Sequence, residues 1–398
     1  MRTAAIIDRL AGLGSDKWQL HHRGRELGAQ GHPVIELTIG EPDVPPDPRL
    51  LAACEAAMRA GRTRYSNGRG EPALVEALAA KYSRRAGRAV TPREILCFPG
   101  TQTALYAVMT GLVDPGDKVL LPDPYYATYE GVVRAPGAEI VPVPLRAEDG
   151  FHLRPEALER AITPGCRVLM LNSPHNPSGA TLSRAEIAAI GEICRRHDLW
   201  IVSDEVYEAL AFGPGFASPF DLPELAERTV VVASISKSHA APGFRSGWAV
   251  GPAALFDRLL SVCETMLFGN QPFIADMTAQ ALTQDLPTAA IMRENYARRA
   301  ALVAGRLGRV PGLRPMPPEG GMFILVDVGG TGLDGATFAA RLLEEAHVSV
   351  MPGSSFGAGA RNFLRLSLTV PDEALAEACA RIARFTAGLG AAPAALAS

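Results

Sequence analysis

The sequence predicts an α/β protein with a large domain on a mostly parallel β-sheet, covered by helices on both faces, and a smaller α+β domain. Three observations carry this. From about residue 71 to 250, apolar runs of strand length alternate with segments of helical spacing, the pattern of a parallel sheet wrapped by helices. After about residue 288 the chain changes to a charged helix, turns rich in Pro and Gly, and short strands. At 398 residues it is also long for a single hydrophobic core.

Taken in order, residues 1–31 read as amphipathic helix ending near Gly28 and Gly31, and 34–38 as a short strand. The turn Ile39-Gly40-Glu41-Pro42-Asp43 and the prolines through Pro48 mark a change of composition. It places the large domain at 48–288 and builds the small one from 1–47 and 289–398. Residues 50–60 have helical spacing and stop at Gly61, before a Gly-rich loop over 62–70. Helices are expected at 71–84, 102–112, 126–134, 155–162 and 183–197, and strands at 94–98, 117–121, 138–143, 167–171, 199–203 and 229–233. The last part should hold a helix at 292–307, strands at 322–326 and 363–367, a helix at about 372–387, and a frayed Ala-rich tail after Gly388. No internal repeat is evident.

Composition narrows the function classes. Hydrophobic residues make up 47% and charged residues 20%, as in soluble globular proteins. The net charge of −3, without a basic run, argues against a nucleic-acid partner. No apolar stretch approaches the ~20 residues of a membrane span. The N-terminal stretch is interrupted by Asp8 and Arg9 and lacks a signal-peptide pattern. Six scattered cysteines show neither metal-like pairs nor a disulfide framework. The expectation is a cytoplasmic protein with reduced thiols and no metal site.

The chemistry concentrates where the strand at 229–233 ends, in Ser234-Ile235-Ser236-Lys237, followed by Gly243-Phe244-Arg245-Ser246-Gly247. An ammonium placed directly after a buried strand is costly. A lysine in a dry pocket can instead lose its proton and form an imine with a carbonyl. The chain has only four lysines, and Lys17, Lys81 and Lys118 lie in sequence that reads as solvated surface. Ser234, Ser236 and Arg245 are groups suited to surround a phosphate. Carbonyl plus phosphate suggests pyridoxal 5′-phosphate (PLP). Other strand ends carry further candidates, as expected of parallel sheets. Phe98-Pro99-Gly100-Thr101-Gln102 leads into a helix whose free N–H groups can bind an anion. Read alone it is an ordinary turn with a Thr cap; beside the lysine motif, Thr101 and Gln102 read as phosphate contacts. Asp204 follows a buried strand and needs a cation, for which a pyridinium N–H would serve; the alternative is a helix cap. Arg365 lies inside an apolar alternating strand and needs a carboxylate, from a substrate or from a structural salt bridge. The residues alone leave these two equal.

These motifs resemble the class I/II aminotransferases, fold-type-I PLP enzymes, from about Ile35 to Ser367. The resemblance rests on Ser-x-Ser-Lys with Gly-x-Arg-x-Gly, on Asn172-Ser173-Pro174-His175-Asn176-Pro177-Ser178-Gly179, and on Asp204-Glu205-Val206-Tyr207. It implies a seven-stranded sheet and an amino acid:2-oxo acid aminotransferase with ping-pong kinetics through an imine on Lys237. It further implies that Tyr126 stacks on the cofactor ring, that Asp204 holds the pyridinium proton, and that Asn176 and Tyr207 reach the phenolic oxygen. Arg365 and the backbone of Gly40 would hold the substrate α-carboxylate, with Asn176 beside them. The protein would be a homodimer, with Tyr65 reaching the neighbouring subunit's phosphate and Phe268-Gly269-Asn270-Gln271 crossing over. Cis peptide bonds are implied at Asp123-Pro124 and Asn176-Pro177. Bacterial aspartate-type relatives carry a lysine, which reads a side-chain carboxylate, where this chain has Gln102. A neutral or basic donor with pyruvate as acceptor is therefore expected. The segments Ser236–Ala240 and Tyr126–Gly131 are similar to those of arginine–pyruvate transaminases. The alternatives are a C–S lyase or amino-acid oxidase on the same fold, or a PLP-binding regulatory domain. The last usually accompanies a basic DNA-binding domain, for which the sequence shows no candidate.

Overall fold

A computed structural model of the chain describes residues 2–13, 17–213, 215–267 and 269–389. Its larger sheet contains β2 (Ile95–Phe98), β3 (Lys118–Asp123), β4 (Glu139–Pro144), β5 (Cys166–Asn172), β6 (Trp200–Asp204), β7 (Thr229–Ser234) and β8 (Gly247–Val250). The order is β2-β8-β7-β6-β5-β3-β4. β8 runs antiparallel to both of its neighbours, and the other pairs are parallel. The central strands are apolar almost throughout because both faces are covered; every residue of β7 is buried. A second sheet has the order β1-β11-β12-β10-β9, with β1 at Ile35–Leu37, β9 at Arg314–Met316, β10 at Phe323–Asp327, β11 at Val348–Pro352 and β12 at Phe363–Ser367. Strand β1 pairs in parallel with β11, so both ends of the chain contribute to this sheet.

Local signals account for many helix starts. Asp47 accepts from the N–H of Arg49 at the head of Pro48–Arg59. Ser183 and Glu186 form a reciprocal capping box on Arg184–Arg196. Proline takes a first-turn position, where its missing N–H costs nothing, in Pro72–Ala86, Pro155–Ala161 and Pro272–Thr283.

The structure corrects several expectations. Residues 1–31 are not one helix; Ala5–Arg9 and Gln19–Ala29 are separate, with Gly12 at φ 74 after the first. The helix expected at 126–134 starts only at Tyr129, since the N–H of Tyr125 donates to the carbonyl of Phe356 outside any helical register. Strands β8, β9 and β11 and the helices Ala253–Met266, Pro272–Thr283 and Gly335–Ala346 had no counterpart in the sequence reading. The tail from residue 390 and Phe268 lie outside the described residues. Cis bonds occur at Asp123-Pro124 and Asn176-Pro177 as expected, and also at Ser173-Pro174.

Strand β8 is what brings two distant motifs together. Gly247 faces Phe98 on β2 and Ser234 on β7. A Cβ on Gly247 would lie 2.6 Å from the carbonyl carbon of Gly100, 2.8 Å from the nitrogen of Thr101 and 2.9 Å from the oxygen of Ala233. All three are backbone atoms and cannot rotate away. Gly247→Ala is therefore expected to destabilise the fold by about 1–3 kcal/mol, as overpacking does, and to weaken phosphate binding. Urea unfolding and an inorganic-phosphate titration measure the two effects; an unchanged midpoint would contradict this reading of the close approach.

Candidate active site

The C-terminal ends of β2, β5, β6 and β7 open on one cleft of about 510 Å³, roofed by Ile39–Glu41 and by Phe323 and Arg365 of the second sheet. This is where parallel sheets expose backbone and side chains to ligands. The cleft gathers Thr101, Gln102, Tyr126, Asn176, Asp204, Tyr207, Ser234, Ser236, Lys237, Arg245, Gly40 and Arg365. Of the site residues singled out by sequence, Tyr65 does not line it, nor do Gly269, Asn270 and Gln271; the Tyr65 side chain is 94% exposed.

Lys237 sits on the single helical turn Ile235–Ser238 that continues β7. The Ser234 hydroxyl accepts from the N–H of Ser236, starting that turn. Lys237 Nζ donates to the carbonyl of Gly40 at 2.5 Å. Desolvation lowers its pKa to about 8; Glu41 opposes this, and the cations Arg365 and Arg245 add to it. An amine so placed is neutral far more often near neutral pH than an ordinary lysine, about a tenth of the time at pH 7, and can act as nucleophile and base.

Asp204, 4% exposed, ends β6. One carboxylate oxygen accepts from the hydroxyl of Tyr129 at 2.7 Å and the other from the N–H of Val206 at 3.1 Å. Burial raises its pKa to about 6, against both hydrogen bonds. The next residue, Glu205, just past the strand, pairs instead with Arg85 at 2.8 Å.

Arg365 is 1% exposed and its guanidinium lies between two rings, 3.9 Å from the centroid of Phe323 and 4.4 Å from that of Phe356. It donates to Asn176 Oδ1 at 3.0 Å and to the carbonyl of Thr38 at 2.6 Å, and its Nε is buried without a partner. Burial lowers its pKa to about 10. Among the described residues no carboxylate pairs with it, which removes the structural salt bridge left open by the sequence. Asn176 Nδ2 in turn donates to the Tyr207 hydroxyl at 3.4 Å.

At the other end, Gly100 precedes the helix Thr101–Leu112 with φ 88, and a Cβ there would meet the Arg245 guanidinium at 2.3 Å. The glycine lets that cation lie against the helix N-terminus. The Thr101 hydroxyl is buried with no partner. Gln102 is exposed and accepts from the Thr128 hydroxyl at 2.9 Å. Tyr126 lines the cleft edge-to-face with Tyr129, centroids 5.5 Å apart.

The sequence reading assigned no role to Tyr129, to Asn172 or to the cleft residues Trp18 and Phe323. Asn172 donates to the carbonyl of Asp204 at 3.0 Å and accepts from the N–H of Asn176 at 2.7 Å. Its position at the end of β5 was the available signal; Trp18 and Phe323 come from distant segments and gave none.

The profile of the family described as "Aminotransferase class I and II" matches residues 32–382. The chain belongs to the class I and II aminotransferases. It is 45% identical to an arginine–pyruvate transaminase from Pseudomonas aeruginosa, over 98% of this chain and 99% of that protein. It is 38% identical to an aspartate/prephenate aminotransferase from Cereibacter sphaeroides, over 92% and 95%. Among solved structures, a single mutant of the Thermus thermophilus aspartate aminotransferase superposes with a TM-score of 0.91 at 34% identity, covering 96% of this chain and all 100% of that one. The aspartate aminotransferase from Rhizobium meliloti gives 0.92 at 32%, covering 97% and 99%. This aminotransferase is thus a PLP-dependent transferase acting on amino acids and 2-oxo acids. Its cleft fits that cofactor. Among the described residues, the unpartnered Thr101 hydroxyl and the Arg245 cation stand at a helix N-terminus suited to a phosphate, the lysine is desolvated, and no cation pairs with the buried acid at the end of β6.

The lysine's burial sets a pH dependence for the cofactor-free protein. Between about 8 and the usual 10.5 the unfolded chain holds the proton and the folded one does not, so stability rises with pH across that window. Below it, holding the proton costs the folded state free energy. Lys237→Met, which removes the charge, is expected to be more stable than wild type at pH 7 by roughly 1–3 kcal/mol. The advantage should shrink as pH rises toward 10.5. Chemical denaturation of both proteins over this range measures it, and a difference independent of pH contradicts it.

Proposed function

We propose that this aminotransferase takes neutral or basic amino acids as donors and pyruvate as acceptor, with Lys237 as the reacting amine. The observation that carries the reading is the pairing, in one cleft, of a desolvated lysine with a buried arginine that has no carboxylate. Arg365 holds the substrate α-carboxylate by its guanidinium edge, with Asn176 and the Gly40 backbone beside it. Thr101, Gln102, Ser234, Ser236 and Arg245 hold the cofactor's phosphate. Tyr126 covers the ring face, Asp204 holds the ring-nitrogen proton, and Asn176 and Tyr207 face the phenolic oxygen. Bound PLP supplies an electron sink conjugated to the substrate Cα. Lys237 Nζ takes the Cα proton of the donor and would deliver it to the C4′ carbon of the bound cofactor, a task suited to an amine whose burial lowers its pKa to about 8.

Donor preference follows from charge. Once Arg365 engages the α-carboxylate and Arg245 the phosphate, the one further cationic side chain lining the cleft among the described residues is the reacting amine Lys237, so no dedicated cation remains for a second substrate carboxylate. Gln102 offers a hydrogen bond only, and Glu41 is an acid at the cleft wall. The similarity to a protein named an arginine–pyruvate transaminase supports the same choice. The test compares kcat/KM for aspartate, alanine, phenylalanine and arginine with one acceptor. Arginine or a neutral donor should exceed aspartate by at least tenfold, about 1.4 kcal/mol; aspartate leading by that factor would overturn the assignment.

The proposal includes a homodimer with shared sites, supported by the exposure of Tyr65 and of the apolar residues Leu51 and Met58 of the preceding helix. Tyr65 of each subunit would reach the other's phosphate. It also includes the division into 48–288 and 1–47 with 289–398, which follows the two sheets, and a cytoplasmic location, supported by six free cysteines. Among the described residues no helix is long and apolar enough to cross a membrane. Sedimentation equilibrium should give twice the chain mass, with Tyr65→Phe weakening PLP binding several-fold; a fully active monomer would exclude the shared site.

A further inference from the structure

The turn that ends β6 is tied by charge to the helix Pro72–Ala86. Asp204 and Tyr207 line the cleft, while the residue after each of them, Glu205 and Glu208, pairs with that helix. Arg85, on its last turn, supplies the link. Arg85 Nη1 donates to Glu205 Oε2 at 2.8 Å and to Glu208 Oε2 at 2.9 Å, and its Nε donates to Asp221 Oδ1 at 2.9 Å. Among the described residues Arg85 is the one cation paired with Glu205, and it shares Glu208 with Lys81. The Glu205 side chain is 0% exposed and that of Arg85 17%. At such depth a pair is held firmly, and a partner left alone is expensive. The backbone of the turn is fixed at its start, where the N–H of Glu205 donates to the carbonyl of Val232 on β7. Beyond that point the side-chain ties to Arg85 add a second restraint.

We propose that Arg85 is a positioning residue of the transamination reaction: by holding Glu205 and Glu208 to the helix Pro72–Ala86, it fixes the turn that presents Asp204 to the cofactor's ring nitrogen and Tyr207 to its phenolic oxygen. This rests on the roles given above to Asp204 and Tyr207. A guanidinium that bridges two acids three residues apart sets their spacing as well as their charge. Tyr207 lies between those acids, so the same bridge holds its hydroxyl where it meets Asn176 Nδ2 at 3.4 Å. The cleft residues and the tied residues alternate along 204–208, and the turn cannot rotate without breaking one set or the other.

The charged groups around this arginine come from three elements. Glu205 and Glu208 belong to the turn after β6, Asp221 to the short helix Pro219–Asp221, and Lys81 to the helix of Arg85 itself. The hydroxyls of Ser203 and Ser218 donate to Glu205 Oε1, and the Arg85 guanidinium lies 4.6 Å from the ring centroid of Tyr82. Burial lifts the pKa of Glu205 to about 7; Glu208 and Asp221 add to this, and Arg85 and Ser218 oppose it. Burial also works against the charge of Arg85, but Glu205, Tyr82, Glu208 and Asp221 together keep its pKa above the ordinary value. Without Arg85, Lys81 is the one cation left paired with the turn, and it reaches Glu208 alone. Glu205 then takes a proton rather than remain a buried, unpaired anion, and the turn loses its tie to the helix.

Arg85→Gln removes both the charge and the fork. Three readouts are expected to move. The PLP dissociation constant of the cofactor-free protein rises about fivefold. The pH midpoint of the bound cofactor's visible absorption moves up by about half a unit, because a displaced Tyr207 stabilises the phenolic oxygen less. The kcat falls about tenfold, while KM for the amino acid changes by less than about threefold. Arg85→Lys keeps the charge without the fork and restores only part of kcat. Asp221→Asn removes the Arg85 partner that lies outside the turn; it lowers the urea midpoint and leaves the three readouts within about twofold of wild type. Combining Arg85→Gln with Glu205→Gln removes the unpaired buried acid, so the comparison stands even where the single variant does not fold. Because Arg85 acts through Glu205, the two changes together cost little more than the larger one alone. Additive losses would overturn the proposal. So would wild-type affinity, midpoint and kcat in either protein carrying Arg85→Gln, even with lowered stability, since that is the result of a purely structural ion cluster. Wild-type affinity and midpoint in both Asp204→Asn and Tyr207→Phe would overturn the roles of those two residues instead.

Discussion

A buried guanidinium without an internal carboxylate is the constraint on which the rest of this structure depends. Arg365 is removed from water by Phe323 and Phe356, two rings from different segments of the second sheet and its connections. Its hydrogen bonds go to Asn176, beyond β5 of the larger sheet, and to the carbonyl of Thr38, just past β1. The charge can be kept only if all of these stay in place, because a buried ion with incomplete partners is expensive. The two sheets are therefore held in register at the point where the substrate must enter. The lowered pKa of Arg365 is the trace of that cost.

From Arg365 a chain of hydrogen bonds runs through Asn176 and Asn172 to Asp204 and on to Tyr129. It spans the cleft from the buried guanidinium to the carboxylate at the end of β6. Each member answers a polar atom that would otherwise be stranded, so the network is stiff, and a change at one end is felt at the other. The pairing of β5 with β6, which sets Asn172 opposite Asp204, is the backbone origin of the arrangement. Lys237 stands outside the chain. Its own hydrogen bond is to a carbonyl, that of Gly40.

Much of this could be read in the sequence because the chemistry sits at strand ends and the strands are apolar throughout. Ser234–Lys237 after 229–233 and Asp204 after 199–203 stood out at strand ends, the resemblance added Asn176 after 167–171 and decided for Asp204, and the structure gathers them in one cleft. What could not be read depends on contacts between distant segments. Strand β8 is four residues long and begins at Gly247, the last residue of the Gly-x-Arg-x-Gly turn, so it gives too short an apolar run to stand out. The partner of Arg365 was undecidable because a salt bridge and a ligand site make the same demand on a strand residue. Tyr129 resembled its neighbours Tyr125 and Tyr126; its distinction is a 2.7 Å contact to a residue 75 positions away. The helix expected over 126–134 failed at its start for the same reason, a backbone bond to Phe356.

Gln102 differs from these groups in being exposed, with a single hydrogen bond to Thr128. Substitutions at such positions usually alter stability by no more than about 0.5 kcal/mol, while those in the buried network threaten the fold. The molecule thus separates a conserved-by-physics interior from an editable rim. Divergence among proteins of this architecture can proceed by exchanging rim side chains, one at a time, without passing through unfolded intermediates. A protein engineer seeking a new donor range inherits the same freedom at the mouth of the cleft and the same prohibition a few ångströms below it.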